Sequence, residues 1–181
     1  DCFIEKTHEV YYRHFGKYFG SVIQGIFYEE PSFAHFAPED GAYPYNETAA
    51  ERYRARVGRD LIADIRDGVE ASNVYYQILG ELFREVFLGK VRDWCDRHGI
   101  LMTGHLLGEG DACSSARCSG DAVKALRCFS MPGIDEIFTD TALGSTQLLP
   151  YGSLQAAVRK TGKDGLCELF ALGPTDLPLS R

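Results

Sequence analysis

The feature that most constrains this chain is an alternation. Stretches with helical spacing of apolar residues give way, again and again, to short branched apolar runs. Residues 3–19 carry Phe3, Val10, Tyr11, Phe15 and Phe19 near helical spacing before Gly20, and Val22-Ile23-Gln24-Gly25-Ile26-Phe27-Tyr28 then reads as a buried strand. Polar helix is predicted over 48–68, with a break at Gly58. A long helix follows over 73–98, where Tyr75, Ile78, Leu79, Leu82, Phe83, Val86, Phe87, Val91, Trp94 and Cys95 form one broad apolar face. Gly99 stops it, and the pattern repeats: strand 100–105, polar loop 108–120, short helix 121–129, strand 134–138, helix 153–161 and strand 166–170.

Connections of these lengths suit right-handed crossovers, so the predicted class is α/β, with about four parallel strands and flanking helices. An open doubly wound sheet and half of a (β/α)8 barrel both satisfy the pattern. A complete barrel takes about 250 residues, against 181 here. Residues 1–181 therefore read as a single segment, and the helical pattern that begins at once after Asp1 suggests a piece of a longer chain. Four strands alone would leave sheet edges open, which favours pairing with a second copy as a homo-oligomer.

Composition narrows the partners. Nineteen basic residues against 26 acidic ones give a net charge of -7, with Lys and Arg scattered, which argues against nucleic acid. No run approaches the roughly 18 apolar residues of a membrane span, so no membrane partner is expected. The six cysteines include no paired C-x2-C spacing, so a structural zinc site is not expected. Cys113 and Cys118 are the candidates for a local bridge, and free thiols are the plainer reading. Asn46-Glu47-Thr48 matches the glycosylation acceptor pattern.

In parallel α/β folds, function gathers where the strands end. The polar residues there are Glu29 and Glu30, then His105 and Glu109, then Asp140, then Glu168. Cleavage of a glycosidic bond needs one protonated and one ionised carboxyl facing each other across the sugar. Glu30 and Glu168, from the first and fourth strands, are the best catalytic pair by that criterion. Glu29 competes with Glu30, because adjacent strand residues point to opposite faces. His105 suits a sugar hydroxyl or a carboxylate, and Glu109 and Asp140 suit substrate. Phe33 and Tyr43, in the long loop after the first strand, suit the apolar face of a sugar ring or packing over the strand ends.

Several segments resemble one family. Tyr12-Arg13-His14-Phe15-Gly16-Lys17-Tyr18-Phe19-Gly20, Gly25-Ile26-Phe27-Tyr28-Glu29-Glu30-Pro31, Asp93-Trp94-Cys95-Asp96-Arg97-His98-Gly99 through Thr103-Gly104-His105, and Gly120-Asp121-Ala122 through Met131-Pro132-Gly133-Ile134-Asp135 are similar, in order, to the large bacterial α-L-rhamnosidase-like glycoside hydrolases of family 106. The resemblance implies a partial (β/α)8 barrel of TIM type and a carbohydrate substrate, a terminal rhamnoside or similar sugar. It also implies an inverting, calcium-assisted reaction, with Glu30 as the acid-like glutamate, Glu168 as the late-strand glutamate and Glu109 as a calcium ligand or subsite residue. Two departures stand out: Glu29 replaces a frequent aspartate, and Leu169-Phe170-Ala171-Leu172-Gly173-Pro174 follows the family's ending only loosely.

Two other readings use the same residues. A metal-assisted hydrolase would gather His105, Glu109 and Asp140 around one ion, and a non-catalytic carbohydrate-binding or structural fragment would show aromatic surface without facing carboxylates. Dinucleotide binding is disfavoured, because no strand is followed by G-x-G-x-x-G.

Overall fold

The computed structural model describes residues 2–34, 43–67, 72–138 and 148–172. The chain opens with α1 (Cys2–Lys6) and α2 (His8–Phe15), split at Thr7 where one helix was expected, and a 3-10 turn over Gly16–Tyr18 leads to β1 (Gly25–Tyr28). Next come α3 (Glu47–Val57), α4 (Leu61–Arg66) and α5 (Ser72–Leu82). A π-turn over Phe83–Leu88 joins α5 to α6 (Gly89–Arg97). The remainder is β2 (Leu101–Gly104), α7 (Ala112–Ser119), α8 (Ala122–Leu126), β3 (Met131–Phe138), α9 (Leu148–Thr161) and β4 (Leu166–Leu172).

The four strands form one parallel sheet in the order β1-β2-β3-β4, flanked by helices, so the fold is the α/β class that the alternation predicts. Phe27 pairs with Thr103, Thr103 with Met131, Gly133 with Leu166, and Asp135 with Glu168. Side-chain alternation then gives the sheet two unlike faces. Tyr28, Met102 and Ile134 lie on the face covered by helices, where they are buried with Val91, Trp94, Phe129 and Ala157. Phe27 and Leu101 lie on the other face and stay 42% and 40% exposed.

Two expectations change. The loop predicted over 108–120 contains α7, because Asp111 caps it by accepting hydrogen bonds from the backbone N–H groups of Cys113 (3.0 Å) and Ser114 (2.9 Å). Cys113 is exposed on this helix and Cys118 buried, and both are free thiols rather than a bridge. The long helix keeps its predicted span and most of its predicted face, with Tyr75, Ile78, Leu79, Leu82, Phe83, Val91, Trp94 and Cys95 buried, and departs from it at Val86. The π-turn advances the helical phase, so Leu88 is fully buried while Val86 is 53% exposed. The Asn46 side chain caps α3 by accepting from Ala49 N at 3.0 Å, so the acceptor-pattern asparagine has a structural use. Among the described residues no helix is long and apolar enough to cross a membrane.

The first helices are clamped to the sheet by aromatic and polar contacts. Trp94 Nε1 donates to Glu9 Oε1 at 2.6 Å, and its ring meets His8 edge-on with centroids 4.9 Å apart. His8 is buried, with Nδ1 2.6 Å from Thr7 Oγ1 and Nε2 against the Tyr28 hydroxyl at the end of β1. Burial holds the His8 imidazole below its ordinary value of 6.5, against the pull of Glu9. Between pH 6.5 and that lowered value the unfolded chain binds a proton that the folded chain refuses. This contribution to stability is therefore complete above pH 6.5 and declines as the pH falls through the window. Urea unfolding at stepped pH should show wild type losing stability relative to His8→Phe as the pH drops below 6.5. A pH-independent difference between the two contradicts this role.

Glycine contacts fix where the strands end. A Cβ on Gly104, whose φ is +131°, would lie 2.1 Å from the Tyr28 carbonyl oxygen, so only glycine fits. Gly104→Ala is expected to cost about 3 kcal/mol or more, from overpacking against backbone. Gly152→Ala, on α9 with open space around it, is expected to stabilise by up to about 1 kcal/mol. Paired denaturation curves check both, and equal effects of the two substitutions contradict the assignment.

Candidate functional site

β1 ends at Tyr28 and β2 at Gly104, and these two residues are register partners. The next residue of each strand, Glu29 and His105, therefore leaves the sheet at the same level, and alternation sends both to the face that carries Phe27 and Thr103. The backbone N–H of His105 donates to the Tyr28 carbonyl at 3.2 Å, which fixes its start. Asp135 of β3 and its partner Glu168 of β4 share that face. Four strands thus deliver Glu29, His105, Asp135 and Glu168 to one place.

His105 stands at the centre, with a side chain only 2% exposed. Its Nδ1 lies 3.0 Å from Glu109 Oε1, and its Nε2 lies 3.4 Å from Glu29 Oε1 and 3.5 Å from Glu168 Oε2. The contact to Glu109 is a hydrogen bond. The other two exceed the roughly 2.7–3.2 Å of N–H···O bonds. Accordingly His105 Nε2 and Glu168 Oε2 are buried atoms without hydrogen-bond partners, as is Asp135 Oδ1. Native interiors leave few such atoms, and an orphaned group commonly marks a functional site.

Glu109 reaches His105 through a turn that depends on Gly108, at φ +77°, where a Cβ would meet Ser114 at 3.1 Å and the Cys118 sulfur at 3.2 Å. The same Glu109 oxygen accepts the backbone N–H of Asp135 at 3.3 Å, which ties the turn to β3. Burial works against charge on His105, but the Glu109 hydrogen bond and the charges of Glu109, Glu29 and Asp135 outweigh it. The imidazole is pushed up to about 9. Burial raises Asp135 above the ordinary carboxylate value, against the pull of His105, while Glu29 adds to the rise.

The structure brings together four of the residues singled out from sequence: Glu29, His105, Glu109 and Glu168. It does not bring Glu30 to Glu168. Glu30 turns off the strand end at φ +46°, is exposed, and acts electrostatically on Cys118 instead. Glu29 takes the place expected for Glu30, because β1 runs two residues at a time along one face and Glu29 continues from Phe27. Phe33 packs between the two apolar cores, 5.8 Å from Phe83 and 6.3 Å from Tyr76 between ring centroids. Tyr43 is 37% exposed and stacks obliquely 6.3 Å from Tyr76. Asp140 lies outside the described residues.

Two residues of the site were missed. Asp135 is half of the Asp135-Glu136 pair on β3, and the alternation that separates Glu29 from Glu30 assigns one acid of this pair to each face. Phe27 is the exposed aromatic beside the site, its ring 5.9 Å from His105. The same alternation along β1 was the available signal.

Among the described residues, the three groups placed to hold a metal ion are Glu29, His105 and Glu168, with one donor atom from each lying within 4.8 Å of the others. Glu109 is not one of them; its Oε1 lies against His105 Nδ1 and accepts the Asp135 backbone N–H. The chain matches no protein-family model, no curated protein and no solved structure.

With Glu109 as its principal counter-charge, His105 should titrate near 9 in the metal-free protein, and its midpoint should fall toward 6.5 in Glu109→Gln. Imidazole NMR across pH 5–10 in the presence of a chelator reads both values. A wild-type midpoint near 6.5 contradicts the charge assignment.

Proposed function

We propose that this chain hydrolyses a glycosidic bond, on a scaffold of the (β/α)8 type, with Glu29 and Glu168 as its carboxylate pair. The observation that carries the reading is their placement: two acids from separate strand ends, with oxygens within 4.8 Å of each other, on a sheet face that the described helices leave open. Consecutive strand order supports the barrel winding, since a doubly wound sheet reverses its order at a switch point. The resemblance to α-L-rhamnosidase-like hydrolases supports the substrate class, a terminal rhamnoside or similar sugar.

Each group then has a part. Glu29, 66% exposed, is the carboxyl in contact with water, and Glu168 is the shielded one at 24%. His105 offers Nε2–H to a sugar hydroxyl or to whichever carboxylate stays ionised, while Glu109 fixes the ring from behind. Phe27 provides an apolar surface beside them. Retaining enzymes hold their carboxyls about 5–5.5 Å apart and inverting ones about 6.5–9.5 Å. The spacing of Glu29 and Glu168 is closer to the retaining value than to the inverting outcome implied by the resemblance. Calcium, which the resemblance implies, would compete with the acid and base roles if it took the oxygens of Glu29 and Glu168.

Aryl α-L-rhamnoside and a panel of other aryl glycosides, assayed with and without calcium, test the reading. Glu29→Gln and Glu168→Gln should each lower kcat by roughly 10²–10⁴-fold, the usual scale for loss of a general acid or base. Glu30→Gln should stay within a few-fold of wild type. Activity that survives both substitutions, or collapses only with Glu30→Gln, removes this pair.

A further inference from the structure

We infer that Glu29, His105 and Glu168 form a binding site for a zinc ion, with Glu109 as the outer carboxylate that orients the histidine. The distances around His105 Nε2 are long for hydrogen bonds. His105 Nε2 is 3.4 Å from Glu29 Oε1 and 3.5 Å from Glu168 Oε2. In a tetrahedral site with zinc-ligand bonds of about 2.0–2.2 Å, neighbouring donor atoms are separated by about 3.3–3.6 Å. The two contacts have the length of tetrahedron edges that share the imidazole nitrogen.

The donor that points into the group is itself buried and makes no hydrogen bond, facing Glu29 and Glu168 at ion-pair distance. The His105 side chain is 2% exposed, and Nε2 has no hydrogen-bond partner. Glu168 Oε2 is orphaned in the same way. Two buried polar atoms that face each other without a hydrogen bond are a natural pair of donors, and one cation serves them together. The two carboxylates and a neutral imidazole balance the two positive charges of the ion.

Behind the imidazole stands the carboxylate that metal-bound histidines characteristically need. Glu109 Oε1 takes the hydrogen on Nδ1 at 3.0 Å and is itself held by the Asp135 backbone N–H at 3.3 Å. This fixes the tautomer that leaves the Nε2 lone pair facing Glu29 and Glu168, and raises its basicity. The nitrogen donor decides the ion class. Calcium and magnesium take oxygen ligands, whereas imidazole with carboxylates suits zinc. Three protein donors leave the fourth position of a tetrahedral ion open, on the side that Glu29 shares with solvent.

This inference goes beyond the hydrolytic reading and stands or falls on binding alone. An ion held by Glu29 and Glu168 excludes them from acid and base roles, so zinc is expected to inhibit glycoside hydrolysis. Isothermal titration of the chelator-treated chain with zinc chloride should give one ion per chain, and calcium chloride at the same concentrations should bind at least 100-fold more weakly. His105→Ala and Glu168→Gln should each weaken zinc by at least 100-fold. Glu109→Gln should weaken it by roughly 10–100-fold, the usual effect of losing such an outer partner. Glu30→Gln should leave it unchanged.

Cobalt(II) added to wild type provides a check that needs no variant to fold. The inferred site predicts the intense visible bands of a four-coordinate ion without near-ultraviolet thiolate absorption, which separates it from capture by cysteine. Absence of zinc binding, equal affinity for calcium, thiolate absorption with cobalt, or undiminished binding in a folded His105→Ala overturns the inference. Loss of hydrolysis alone does not touch it, and zinc binding without hydrolysis removes only the earlier reading.

Discussion

The contact on which the rest depends is backbone against backbone, where β1 and β2 end. At Gly104 the chain passes so close to the Tyr28 carbonyl that no side chain can intervene, and the His105 N–H bonds that same oxygen at 3.2 Å. This sets the two strand ends level. On one side Tyr28 drops into the core beneath Trp94 and His8; on the other Glu29 and His105 rise together. The aromatic clamp through α2 and α6 serves the same end, since it seats the residue before Glu29.

Four acids gathered at one point demand positive charge. His105 supplies it in the metal-free chain, and the imidazole is held charged well above neutral pH by Glu109, Glu29 and Asp135 in spite of burial. A proton is a small answer to that demand, because it satisfies Glu109 on one nitrogen and leaves the other facing two carboxylates at distances no hydrogen bond uses. The same arrangement suits a sugar hydroxyl or an ion. The site is thus built around an unmet electrostatic requirement at the mouth of a parallel sheet, which is where α/β folds place ligands.

Much of this was legible from sequence because it follows from period. The alternation of helix and strand patterns predicts the parallel sheet, and the strand-end rule points to Glu29, His105, Glu109 and Glu168. What was not legible depended on phase. Choosing Glu29 over Glu30 requires knowing which face Phe27 occupies, and a single run of apolar residues from Val22 to Tyr28 hides that face because both sides are apolar. The π-turn at Phe83–Leu88 shifts the long helix by a step that no 3.6-residue pattern announces. The serine-rich segment before Gly120 resembles a loop in composition, yet one capping aspartate, Asp111, makes it α7 and lets Gly108 turn Glu109 back under His105.

The central claim is that His105 Nε2, Glu29 and Glu168 face one another at separations that a cation fits. Crystals of the chain grown with zinc chloride, measured on both sides of the zinc absorption edge, test it directly. The account predicts one anomalous peak about 2.0–2.2 Å from His105 Nε2 and from one oxygen each of Glu29 and Glu168, with Glu109 still on Nδ1. No peak there, together with Glu29 or Glu168 turned away from His105, would contradict it.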